Sequence, residues 1–195
     1  MACDISNGRI EQCKDSVSGL KSIFIINYDK LNSDSVTYLT ATGSEDVIEA
    51  WTPIDDSVPM NLYKYELKST TNSFTTAIES SRDNGTTFFS QTLVAALKRQ
   101  DAATTKNVKL LAYGRPRIVV RTMTDQFFLM GLDQGADVSA GEISSGAALG
   151  DFNGYSLTFL AQEEMPANFL DCSNEAGLKV LFATVSGAEA VIVTS

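Results

Sequence analysis

The stretch Phe74-Thr75-Thr76-Ala77-Ile78-Glu79-Ser80, followed by Arg82-Asp83-Asn84-Gly85 and then Thr86-Thr87-Phe88-Phe89-Ser90-Gln91-Thr92-Leu93-Val94-Ala95-Ala96-Leu97, is two extended runs about one turn. Asn-Gly between extended runs is the strongest short-range hairpin signal, because both residues tolerate positive φ. The return run places Phe88, Val94 and Ala96 on one face and Phe89, Leu93, Ala95 and Leu97 on the other. Apolar residues on both faces predict a strand inside a covered sheet.

Working towards the N-terminus, Tyr63, Tyr65 and Leu67 alternate with Lys64, Glu66 and Lys68, which predicts a strand with one wet face. Residues 43–59 are polar and acidic and read as a long loop holding Pro53, the pair Asp55-Asp56 and the single tryptophan, Trp51. Inside a loop, Trp51 is either an anchor to its own core or a contact for a partner. Residues 36–40 read as a strand. So do residues 20–28, where Leu20, Ser22, Phe24, Ile26 and Tyr28 share one face and Ile23 and Ile25 the other, so that both faces call for burial. Residues 1–19 lack a sustained period and read as an N-terminal arm.

Towards the C-terminus, residues 101–113 read as the one helix. Asp101 is the N-cap, Thr104, Val108, Leu111 and Ala112 form the apolar-leaning stripe, and Gly114 with Pro116 supplies the stop. Strands follow at 118–122 and 126–132, then a glycine- and acid-rich run at 131–154, a strand at 155–161, and further extended runs at 177–185 and 190–194. Strands, one helix, then strands predict a mainly β single domain over 1–195: an antiparallel β-sandwich or barrel with one packed α-helix and long loops.

The 195 residues suffice for one substantial core, and 44% apolar with 20% charged residues is the balance of a globular chain. The net charge of −9 is unevenly spread. Residues 1–122 balance 14 bases against 14 acids, whereas residues 123–195 carry Lys179 alone against ten acids. Within 98–121 the bases Lys98, Arg99, Lys106, Lys109, Arg115, Arg117 and Arg121 face only Asp101. Such a run is a solvated face, or half of a heterologous contact in which it meets the acidic C-terminal surface of the next copy and a ring can close, or a nucleic-acid contact working against repulsion from the rest of an acidic molecule. Arg99, Lys106, Lys109, Arg117 and Trp51 are the candidate subunit-interface residues. No membrane span is expected, and the first residues lack the basic and apolar regions of a signal peptide, so synthesis and folding in a cytoplasm are expected.

With no histidine in the chain, Ser-His-Asp, Cys-His and paired-His zinc mechanisms have no base or ligand. Asp55-Asp56 and Glu163-Glu164 are adjacent, so in extended chain their side chains point to opposite faces. Gly146, Gly150 and Gly154 are spaced by fours, unlike a phosphate-cradling loop. Asp133, Asp137, Glu142 and Asp151 do not follow a calcium-loop spacing, and Cys3, Cys13 and Cys172 do not follow a metal-finger one. Reduced thiols are expected, with a Cys3–Cys13 bridge open to an oxidised particle. Neither an enzyme nor a cofactor or metal is expected from these residues.

Three features resemble the tail tube, or major tail, proteins of tailed bacteriophages, whose fold is shared with the inner tubes of contractile injection systems. They are the opening Met1-Ala2-Cys3-Asp4 through Gly8-Arg9 to Cys13-Lys14-Asp15-Ser16 and Gly19-Leu20-Lys21; the strand, helix, strand order across 86–132; and Gly150-Asp151-Phe152-Asn153-Gly154-Tyr155 running to Glu163-Glu164-Met165-Pro166-Ala167-Asn168-Phe169. The resemblance implies a virion structural protein in the viral tail. It implies hexameric rings, stacked into a tube assembled in the bacterial host cytoplasm, through which viral DNA passes without specific binding. Implied partners are further copies of the chain and a terminator, tape measure or baseplate hub. Some of Asp133, Asp137, Glu142 and Asp151, or acids of the 43–59 loop, would then face the lumen or an inter-ring seam, where like charge avoids trapping DNA. A head-tail connector, a capsid decoration protein and a monomeric β-barrel binding module are the alternatives.

Overall fold

The computed structural model describes residues 8, 17–55 and 57–194; most of the 1–19 arm, with Cys3 and Cys13, lies outside the described residues, as does Asp56. Two strands with runs of consecutive buried residues, β1 (Leu20–Ile26) and β7 (Arg117–Thr122), lie side by side in the middle of a six-stranded sheet. Its other strands are β4 (Asn61–Glu66), β8 (Phe127–Met130), β11 (Asn168–Phe169) and β12 (Val191–Val193), in the order β11-β8-β7-β1-β4-β12. All pairings are antiparallel except β12 with β4.

This central sheet is covered on both faces, which is why β1 and β7 lack alternation. One face carries Phe24, Ile26, Leu62, Val119, Phe127 and Leu129. It packs under the two-stranded sheet of β2 (Leu31–Tyr38) and β3 (Ile48–Pro53) and under α2 (Glu175–Leu181), which contribute Leu31, Ile48, Trp51, Leu178 and Leu181. The other face carries Ile23, Ile118, Val120 and Met130 and packs on the second large sheet. Each large side chain so buried contributes about 1.5–3 kcal/mol. Leu20 joins the second core although Phe24 lies in the first, because the β1–β7 register shifts between Leu20 and Ser22. A bulge reverses facing along the strand.

The second sheet holds β5 (Ser73–Ser81), β6 (Thr86–Lys98), β10 (Gly154–Glu163) and β9 (Asp137–Ser144), in the order β5-β6-β10-β9. The β5–β6 hairpin forms as expected, with Ser81 opposite Thr86 across residues 82–85. Only Gly85 of the Asn-Gly pair takes positive φ, at +64°. The expected helix is α1 (Ala102–Tyr113), capped by Asp101, whose carboxylate accepts the Thr104 N–H at 2.7 Å. It buries no residue completely. Val108 and Leu111 pack against the second core beside Tyr65 of β4 and Val138 of β9, so α1 closes the open side of the sandwich.

Five sequence expectations change. β6, read as apolar on both faces and therefore covered on both, meets a core only on its Leu93 and Ala95 face. Residues 131–154 contain the eight-residue strand β9, and residues 177–185 are not a strand, since α2 begins at Glu175. Trp51 lies on β3 rather than in a loop. The face of β4 read as wet is partly covered, with Leu62 buried and Lys64 bridged to Glu175 of α2 at 2.9 Å.

Candidate functional site

The four-stranded sheet separates its residues sharply. Leu93, Ala95, Leu157, Phe159 and Ala161 point into the sandwich. The opposite face is set by the register: Thr75 beside Thr92, Ala77 beside Ser90, Thr92 beside Leu160, Ser156 beside Glu142 and Thr158 beside Ala140. Small and hydroxyl side chains dominate it. Its charges are the acids Glu79, Asp137 and Glu142, with Lys98 at one end.

Both outer strands of this sheet are open. β5 and β9 pair on one side only, over nine and eight residues. Neither contains the lysine or proline with which free edges are commonly blunted; β9 carries a bulge where Phe159 follows Thr158 in register. On the core-facing side, Ile78 of β5 sits opposite Phe89 and Ile143 of β9 opposite Tyr155, yet they are 70% and 51% exposed. They lack cover because their strands end the sheet.

The sequence-predicted interface residues divide. Trp51 is completely buried, its Nε1–H donating to the Asn32 carbonyl at 2.8 Å. Arg117 is equally enclosed. Its guanidinium lies 4.2 Å from the centroid of the Tyr28 ring and 4.9 Å from that of Trp51. It donates to the carbonyls of Leu132, Tyr28 and Leu31 at 2.9, 2.7 and 2.9 Å. Burial lowers its pKa. Both side chains are used within the subunit and offer nothing to a partner, which corrects their assignment to an interface. Arg121 is also taken up, bridging Asp125 at 2.6 Å and Glu175 at 2.8 Å, and Arg115 lies 3.5 Å from Asp137. Lys98, Arg99, Lys106 and Lys109 remain exposed, with no ion pair among the described residues.

The four candidate lumen acids also divide. Asp137 and Glu142 belong to β9 and fall on the hydroxyl-rich side of the sheet. Asp133 lies beyond one end of β9, its backbone N–H held by Glu163 and its carbonyl accepting the Tyr28 hydroxyl. Asp151 lies beyond the other end, accepting the N–H groups of Ala147 and Ala148, which hold its carboxyl below the ordinary aspartate range.

Sequence reasoning missed two buried polar groups on the inner side of this sheet. Glu163 accepts the N–H groups of Asp133 and Gln134, and Gln91 accepts that of Gly131 at 3.1 Å, so together they hold the turn that starts β9. Burial raises the Glu163 pKa despite these donors. The period-two position of Glu163 after Leu157, Phe159 and Ala161 was the available signal. Cys172 is half-buried and its thiol is pushed up to about 12 by burial, which suppresses thiolate chemistry. Among the described residues no three His, Cys, Asp or Glu side chains converge on a metal position, and no helix is long and apolar enough to cross a membrane.

Comparison of the chain with family models, curated proteins and solved structures returned no match.

Proposed function

We propose that the chain is a ring-forming structural subunit whose rings stack into a tube for DNA, as the tail-tube resemblance implies. The carrying observation is that one sheet ends in two different open edges, with Ile78 and Ile143 exposed on the same face. Pairing β5 of one copy with β9 of the next satisfies both edges and covers both isoleucines. Because the paired surfaces differ, the contact is heterologous, and it closes when the rotation between copies divides a full turn.

The dimensions suit the proposed cargo. Six copies of a four-stranded sheet give a barrel roughly 48 Å across at the backbone, for strands about 4.8 Å apart and tilted about 40°. Side chains reduce this to a channel of roughly 40 Å, wide enough for duplex DNA; three copies would leave roughly 15 Å. The lining would be the hydroxyl-rich face with Glu79, Asp137 and Glu142. Such a wall offers phosphates almost no cation, so DNA passes without being held.

Light scattering of the purified chain across a concentration series tests the ring. The expected product has six times the 21.0 kDa subunit mass and grows further by stacking. Rings that never stack would favour the connector reading, and a monomer at every concentration would remove the assembly reading altogether.

A further inference from the structure

The turn between β9 and β10, residues 145–153, presents apolar side chains on a fixed frame. The Asp151 carboxylate accepts the N–H groups of Ala147 and Ala148 at 2.9 and 2.7 Å. Gly146 takes φ +69°, and a Cβ there would meet the Asp151 side chain at 2.7 Å. On this frame Leu149 is fully exposed and Phe152 is partly so. An ordered turn that holds a leucine in water has reduced the ordering cost of binding in advance.

The matching concavity is a cleft of about 710 Å³ beside α1, lined by Tyr28, Tyr63, Tyr65, Leu110, Tyr113 and Pro116. Tyr113 is 84% exposed and Leu110 also faces solvent. Tyrosine rings around a concavity, with Asp29 and Lys30 at its border, offer apolar faces against which a neighbour's aliphatic side chain can pack.

Their placement on the subunit decides the occupant. The Asn153 carbonyl accepts the Arg99 N–H at 2.8 Å, so the turn lies at the end of the sandwich where α1 begins. The cleft lies where α1 ends, at Tyr113 and Pro116, about 18 Å away for a helix of 12 residues. Knob and hole at opposite ends of one subunit cannot meet within that subunit; repeated from copy to copy they generate an open stack. Charge permits this pairing. No base lies between Arg121 and Lys179, and Asp151 stays ionised on the turn, while Lys30 borders the cleft beside Asp29 and Arg115 there already faces Asp137 at 3.5 Å.

We propose that Leu149 of one copy seats in the tyrosine cleft at the C-terminal end of α1 of a copy in the adjacent ring, with Phe152 packing at its rim. This deepens the ring reading and rests on it. The contact sets the polarity of the stack, because turn and cleft face opposite ways.

Two full-length variants, Leu149→Cys and Tyr113→Cys, test it in a background with Cys3, Cys13 and Cys172 replaced by serine. Mixed and oxidised, they are expected to give a disulfide-linked heterodimer that is absent when Ser90→Cys replaces Tyr113→Cys. No linked heterodimer from rings of intact mass overturns the stacking contact and leaves the ring reading standing; a chain monomeric under all conditions overturns both. Independently, Leu149→Asp is expected to preserve ring mass while shortening tubes at least tenfold, and tubes of unchanged length overturn the contact.

Discussion

Arg117 illustrates what a charge count hides. It stands in a basic run, and nothing in that run distinguishes it from Lys106 or Lys109, which stay on the surface. The distinction comes from two rings and three carbonyls supplied by distant segments. Arg117→Ala leaves those carbonyls unpaired and is expected to cost about 3 kcal/mol in urea unfolding of the subunit; an unchanged midpoint with lost assembly would restore Arg117 to an interface. The carboxylates give pH dependence of two signs. Asp101, Asp125 and Asp151 are lowered by their hydrogen bonds. The stability they contribute is present above the ordinary aspartate value of 3.8 and is lost as pH falls through their folded values. Glu163, raised by burial, contributes oppositely: its stabilisation is complete below 4.5 and is lost as pH rises through its folded value. Glu163→Gln is therefore expected to gain stability relative to the parent between about pH 4 and pH 7, read from urea midpoints. A constant difference across that interval would mean that the buried carboxyl does not titrate there.

At the scale of elements, the hairpin, α1 and the doubly covered β1 were legible because period, cap and turn chemistry agreed locally, and β6 was legible as a strand although a core covers only one of its faces. β9 was not. Its bulge puts Val138 and Ile143 on one face although they are five residues apart, which breaks the alternation by which strands are read. α2 spans seven residues, too few for a helical period to emerge, although Asn174 caps it and Leu178, Leu181 and Phe182 keep i, i+3, i+4 spacing. Those two misses matter unequally, since β9 supplies one of the two edges on which the proposed assembly rests. Ile78→Lys and Ile143→Lys, each placing a charge where the neighbouring copy would pack, are expected to leave circular dichroism unchanged and to stop growth beyond the monomer. Rings of normal mass from both variants would mean that these edges do not meet. Asp101→Ala is expected to lower the urea midpoint through the lost cap of α1, and an unchanged midpoint would mean that the cap is not stabilising.

For the whole molecule, the sequence count set a basic segment against an acidic one, and the fold changes its weight. Arg115, Arg117 and Arg121 are engaged within the subunit, leaving Lys98, Arg99, Lys106 and Lys109 for a neighbour. Salt at about 1 M, where screening acts within about 3 Å, is accordingly expected to slow association while rings persist through backbone pairing and apolar cover. Rings that dissolve under those conditions would mean that ion pairs carry the joint. In assembled particles, replacing both Asp137 and Glu142 by lysine is expected to slow DNA release, because each added cation on the channel wall adds phosphate affinity; unchanged release would place the hydroxyl-rich face elsewhere. The measurement that reaches the central claim most directly is electron microscopy of the purified chain over a range of concentrations. The account predicts closed rings with a channel of roughly 40 Å, β5 of each copy paired to β9 of the next, and stacking of the rings into tubes; particles in which β5 and β9 both remain free of neighbouring copies would contradict it.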